Sequence, residues 1–175
     1  MDPSPTAADW LEQEWLTPRA WRIDIDVWVK DLAAATASYG ERFGLGPWKY
    51  AELKAPVARD IRFRGEPADI DTLVAISEIG PLGIELLQVR GGSEAVVRWA
   101  DELPDGYWHP CAYHATVEQA DAAYAEFRSR GFETVLSGQI GGSNFYMLEA
   151  TDLLGRMFEV AGGPLANIAW TPAPA

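Results

Sequence analysis

Apolar and polar residues alternate strictly over residues 23–29. Ile23, Ile25, Val27 and Val29 fall on one face; Asp24, Asp26 and Trp28 fall on the other. This period of two predicts a strand that buries its aliphatic face under helices and turns two acids and an indole the opposite way. Asp31 then caps a predicted helix running to Phe43, with Gly44 as its C-cap. Leu45-Gly46-Pro47-Trp48 is a turn into a strand over 48–53. Further strands are predicted over 61–64, 73–79 and 84–89, and Ser93 caps a connecting helix that ends near Leu103.

The same order then returns. A strand is predicted over 112–117, a helix over 119–130 closed by Gly131, and strands near 133–136, 145–149 and 156–160. The chain therefore reads as a repeat of about half its length. The predicted fold is α+β, with two βαβββ modules whose sheets form a cup-shaped cavity. The organisation is an N-terminal extension at 1–21 with a short helix over 9–16, a first module at 22–92, and a connecting helix and loop at 93–109. A second module at 110–162 and a C-terminal tail at 163–175 complete it.

Composition narrows the function. A net charge of −12 argues against nucleic-acid binding, which needs clustered Lys and Arg. No apolar run is long enough for a membrane span, and residues 1–8 lack the basic and apolar segments of a secretory signal, so a cytoplasmic location is expected. Cys111 is the lone cysteine; with no basic activator in its sequence neighbourhood, it reads as buried and inert. The expected partner is a small-molecule substrate, and a homodimer is left open. Eight Trp exceed what a core of this size needs. Trp28 shares a face with both aspartates, and Trp28, Trp48, Trp108 and Tyr146 are the candidate substrate contacts.

Three groups of residues resemble the vicinal oxygen chelate superfamily. They are residues 25–35 with Phe43-Gly44-Leu45-Gly46-Pro47-Trp48; Gly83-Ile84-Glu85-Leu86-Leu87; and Phe145-Tyr146-Met147-Leu148 with Leu154-Gly155-Arg156-Met157-Phe158-Glu159-Val160. The closest flavour is the glyoxalase/methylmalonyl-CoA epimerase-like branch, and the resemblance covers about 22–162. It implies four metal ligands facing the cup: a His, a Glu, Gln or His, a second His, and a Glu. On this chain they fall on Asp24, Glu85, Ala112 and Glu159. Alanine binds no metal and both histidines are missing, which leaves His114, two residues along the same predicted face, as the substitute. Zn, Ni and Co favour imidazole; carboxylates with one His suit a harder ion such as Mg or Mn. No cofactor is expected; a divalent metal, if bound, would sit on Asp24, Glu85, His114 and Glu159.

Without a metal, Asp24, Asp26, Glu85, His114 and Glu159 are the expected catalytic set. Carboxylates crowded into an apolar pocket cannot all ionise, and one with a raised pKa is a proton carrier. The expected function is proton transfer next to a carbonyl or enol on a mid-sized apolar or aromatic substrate, as an isomerase, epimerase, lyase or cyclase. His114 and one of Asp24 or Asp26 would be acid and base, with Glu85 and Glu159 orienting the substrate. Two alternatives stay open: a non-catalytic protein that sequesters a ligand or an antibiotic, and a metal-dependent epimerase or lyase with an atypical ligand set. Ion pairing of the aspartates with Arg22, Arg62 or Arg64, and a core role for His114, are the structural alternatives.

Overall fold

The computed structural model describes residues 20–79 and 82–172; the helix expected at 9–16 lies outside them. The first half comprises β1 (Ala20–Trp28), α1 (Leu32–Phe43), β2 (Lys49–Leu53), β3 (Ala58–Phe63), β4 (Glu66–Pro67), β5 (Ile70–Ile79) and β6 (Leu82–Gly92). Helix α2 (Glu94–Glu102) connects it to β7 (Tyr107–His114), α3 (Val117–Ser129), β8 (Thr134–Ile140), β9 (Ser143–Leu148), α4 (Thr151–Leu154) and β10 (Phe158–Gly162). Among the described residues no helix is long and apolar enough to cross a membrane.

All ten strands form one sheet in the order β2-β5-β6-β1-β7-β10-β9-β8-β3-β4. The first strands of the two halves, β1 and β7, run antiparallel at its centre. Each also pairs in parallel with the last strand of its own half, β6 or β10. The repeat thus becomes a pseudo-twofold sheet, curled into a half-barrel.

Helices α1 and α3 cover the convex face. Asp31 accepts from the Ala34 amide at 3.0 Å, and Gly44 ends α1 at φ 70°, a left-handed conformation that glycine adopts without strain. Leu32, Trp48, Val27 and Leu86 form the apolar layer under α1. Helix α3 opens with a capping box between Thr116 and Gln119, and Ala120, Phe127, Leu148 and Val160 pack beneath it. The concave side holds the largest apolar cluster, including Trp28, Val74, Trp99 and Met147.

Two features depart from the simple repeat. The strand expected near 61–64 belongs to β3, which leaves its own half and pairs with β8, Ala58 opposite Ile140 and Phe63 opposite Leu136. It thereby extends the sheet of the second half and buries Ala58 and Ile61 in the interior. The C-terminal segment after β10 crosses the mouth of the cup. It starts where the Gly142 amide donates to Pro164 O and ends in paired bonds between Tyr50 and Thr171, at 2.8 and 2.9 Å.

The contact between α3 and the sheet has a direct test. A Cβ on Gly162 would lie 2.8 Å from the His114 Cβ and 2.9 Å from the Ala120 Cβ. Gly162→Ala is therefore expected to cost about 1–3 kcal/mol by overpacking, lowering Tm by roughly 2–12 °C for a chain of this size. A thermal melt that shows no loss would mean α3 sits further from β10 than described.

Candidate functional site

The cup is walled by apolar side chains, among them Trp28, Leu53, Leu87, Leu136, Phe145, Met147, Ile168 and Trp170. It encloses about 100 Å³. Into this apolar space project Asp24, Asp26, Glu85 and Glu159, against one guanidinium among the described lining residues, Arg22. Strand register explains the convergence. Glu85 on β6 lies opposite Asp26 on β1; Asp24 lies opposite Cys111 on β7; Glu159 on β10 flanks Cys111 from the other side.

The four acids have different surroundings. The Arg22 Nε lies 2.7 Å from Asp24 Oδ1, and its Nη1 reaches Glu78 at 3.2 Å. Burial raises the Asp24 pKa, and this ion pair partly offsets the rise. Asp26 is 4% exposed, and its Oδ1 has no hydrogen-bond partner among the described residues. Burial, then the charges of Glu159, Glu85 and Asp24, push its pKa well up. The Glu85 pKa is pushed up to about 8, first by burial and then by Glu159 and Asp24. Such a carboxyl is largely protonated at neutral pH and exchanges its proton readily there.

Beneath the acids lies His109, fully buried. Its Nε2 is 3.2 Å from Glu159 Oε2 and 3.5 Å from Asp26 Oδ2, and its Nδ1 accepts from the Trp28 indole N–H at 3.3 Å. The Cys111 thiol donates to Glu159 Oε1 at 3.7 Å. Burial and the surrounding carboxylates push the Cys111 pKa well up, so the thiol stays protonated.

A family model described as "Glyoxalase/Bleomycin resistance protein/Dioxygenase superfamily" matches residues 24–146, from the first acid of the cup to strand β9. The chain belongs to this superfamily. Solved structures share the fold at low identity. A hypothetical protein BH1468 from Bacillus halodurans C-125 is 16% identical, with 81% of this chain covering 92% of that one at a TM-score of 0.54. A methylmalonyl-CoA epimerase in complex with methylmalonyl-CoA and NH4+ is 21% identical, with 81% and 94% covered and a TM-score of 0.51. A variant of the Streptomyces coelicolor methylmalonyl-CoA epimerase, in complex with 2-nitronate-propionyl-CoA, is 19% identical, with 85% and 97% covered and a TM-score of 0.53. No curated protein matches the sequence.

Of the residues expected from sequence to make the superfamily's cup, Asp24, Asp26, Glu85, Glu159 and Trp28 line one cavity. His114 does not join them. On β7 Cys111 and Tyr113 line the cup and His109 shares their face behind the wall, so Ala112 and His114 face α3. The physical reason is the strand's parity: Thr116 caps α3 as Asp31 caps α1, which matches Asp24 to His109 rather than to Ala112, three residues away and on the other face. Trp48 is buried under α1. Tyr146 stacks on Tyr124 of α3 with centroids 3.9 Å apart and donates to Asp121 at 2.7 Å. Trp108 is 41% exposed beneath the Arg156 guanidinium. These three do not contact the cup.

A signal for His109 was present in the spacing of the helix caps. Asp24 lies seven residues before Asp31, and His109 lies seven residues before Thr116. Counting from the caps, rather than from the alanines inside the helices, gives the half-to-half match that the register displays.

The superfamily's metal can be tested against these surroundings. Asp26, His109 and Glu159 offer ligand atoms within 4.8 Å of one another. A ligating His donates its second ring N–H to an acceptor, whereas the second nitrogen of His109 faces the Trp28 N–H, a group that only donates. Asp24 is engaged by Arg22, and Ala112 faces away. The donor set does not fit an imidazole-preferring ion, and no step below runs through one.

Proposed function

We propose that this chain is an enzyme that moves a proton at a carbon next to a carbonyl or enol, with Glu85 as the proton carrier and Glu159 as the second carboxylate. The observation that carries the reading is the convergence of four carboxylates on one apolar cavity with one guanidinium among its described lining. Such a cluster cannot be fully ionised, so it stores protons at neutral pH and delivers them at short range. Glu85 and Glu159 occupy matching strands of the two halves, β6 and β10, on either side of the central pair. A planar enol held between them is reached by a carboxyl group from both walls. That arrangement suits isomerisation or epimerisation, in keeping with the fold shared with methylmalonyl-CoA epimerases.

The substrate class follows from the walls. Four acids against one cation disfavour an anionic reacting centre, and the remaining lining favours an apolar body. The enclosed volume of about 100 Å³ holds the reacting end, with the rest reaching toward the mouth. The Cys111 thiol donates to Glu159 from below and His109 Nε2 lies 3.2 Å from its other oxygen, contacts that orient a carboxylate whose oxygens would otherwise swing freely.

Deuterium wash-in tests this reading without knowledge of the natural substrate. Ketones, 1,3-dicarbonyls and acyl thioesters are incubated with the enzyme in D2O and followed by mass spectrometry. The parent is expected to exchange one carbon-bound hydrogen in at least one class, and Glu159→Gln to do so about 10²–10⁴-fold more slowly. Tight binding of a carbonyl compound with no exchange in any class would instead mark a sequestering protein.

A further inference from the structure

We propose that Trp28 fixes the tautomer of His109, holding its proton on Nε2, which makes His109 a hydrogen-bond donor to the cup carboxylates rather than a metal ligand. A neutral imidazole carries one proton, on one nitrogen or the other. The indole N–H of Trp28 has no acceptor capacity and lies 3.3 Å from His109 Nδ1. The two ring planes are 22° apart, and the N–H meets Nδ1 at hydrogen-bond distance and angle. With Nδ1 accepting, the proton is on Nε2, directed at Glu159 Oε2 and Asp26 Oδ2.

The fold holds this arrangement from both sides. Trp99 meets the Trp28 ring edge-on at 5.3 Å, and the Gly106 amide donates to the Trp28 carbonyl at 2.9 Å. His109 is 0% exposed, so its Nδ1 is shielded from bulk solvent. Putting the proton on Nδ1 would set two N–H groups against each other in a buried space. The usual orientation for metal ligation is therefore disfavoured by a residue one strand away. Trp28 is in this sense a positioning residue: it acts through His109 on the carboxylates. The catalytic consequence rests on the proton-transfer reading above; the tautomer itself does not.

Nitrogen-15 NMR of histidine-labelled protein reads the tautomer directly, without turnover, so this inference and the proposed function fail separately. The chain has two histidines, and the cross-peak from the Trp28 indole proton assigns His109. The expected spectrum has a protonated, pyrrole-type Nε2 and an unprotonated Nδ1 at neutral pH. A proton on Nδ1, or on both nitrogens, would overturn the proposal. Zn2+ titration against a chelating dye adds a second readout. The parent is expected to bind Zn2+ without perturbing the His109 nitrogens. Trp28→Phe keeps an aromatic ring but removes the donor, and it is expected to bind Zn2+ about 10- to 100-fold more tightly, now through His109. Zn2+ ligation by Nε2 in the parent, or a folded Trp28→Phe protein with unchanged tautomer and Zn2+ affinity, would sink it. If the variant does not fold, the parent spectrum still decides.

Discussion

Glu85→Gln is expected to lower turnover by about 10²–10⁴-fold and, in the same protein, to flatten the pH dependence of folding. The sign follows from proton uptake. The Glu85 pKa rises from 4.5 to about 8 in the folded protein, so between those values the native state holds a proton that the unfolded chain has released. This contribution to stability is complete below pH 4.5 and is lost as pH rises through 8. Asp26, also raised, acts in the same direction. The slope from one such proton approaches about 1.4 kcal/mol per pH unit. Gln cannot titrate, so urea denaturation at a series of pH values should show a shallower decline in the variant. A retained slope together with retained turnover would remove Glu85 from the proton-carrying role.

Trp28→Ala is expected to have the largest effect on stability. The side chain is 7% exposed and packs against Trp99, and its deletion leaves a cavity worth about 3–5 kcal/mol. It also leaves the buried His109 Nδ1 without its donor, at a further cost of about 1–3 kcal/mol. At 2–4 °C per kcal/mol for a chain of this size, Tm should fall by roughly 8–30 °C. Trp28→Phe, which refills most of the space, should recover the larger part of that loss but not the hydrogen bond. A melt in which Ala and Phe behave alike would mean that packing contributes little at this position.

The first half of the cup was legible because its pattern was clean. Strict alternation over 23–29 set Asp24, Asp26 and Trp28 on one face, and Asp31 and Gly44 bounded the next helix with side chains suited to those caps. Glu85 and Glu159 were found through the resemblance, and the register places them on equivalent strands. The second central strand was harder to read. Pro110 sits within β7, and a proline inside a strand argues against a strand. It is tolerated here because pairing with β10 begins only at Cys111, so no ladder bond from residue 110 is required on that side. Matching Asp24 to Ala112 instead of His109, an odd offset of three residues, exchanges the two faces of the strand, puts His114 on the cup side in place of His109, and turns Cys111 and Tyr113 away from it. The crossing of β3 to β8 is a long-range choice between two available sheet edges, and local alternation does not encode it. The aromatic residues misled for a related reason: Trp48, Trp108 and Tyr146 were judged by composition, while strand parity and the positions of α1 and α3 decide which side an indole or phenol occupies.

The segment after β10 makes one wall of the cup separable from its floor. Ile168 and Trp170 form part of the wall, and the segment that carries them is fastened at its far end by the paired bonds between Tyr50 and Thr171 on the edge strand β2. A terminal segment held by a few backbone bonds at a sheet edge opens at a free energy well below that of global unfolding. Each opening removes two apolar walls at once, while the buried acids on the central strands stay in place. Opening at that edge is a local event, separate from unfolding of the strands that carry the acids.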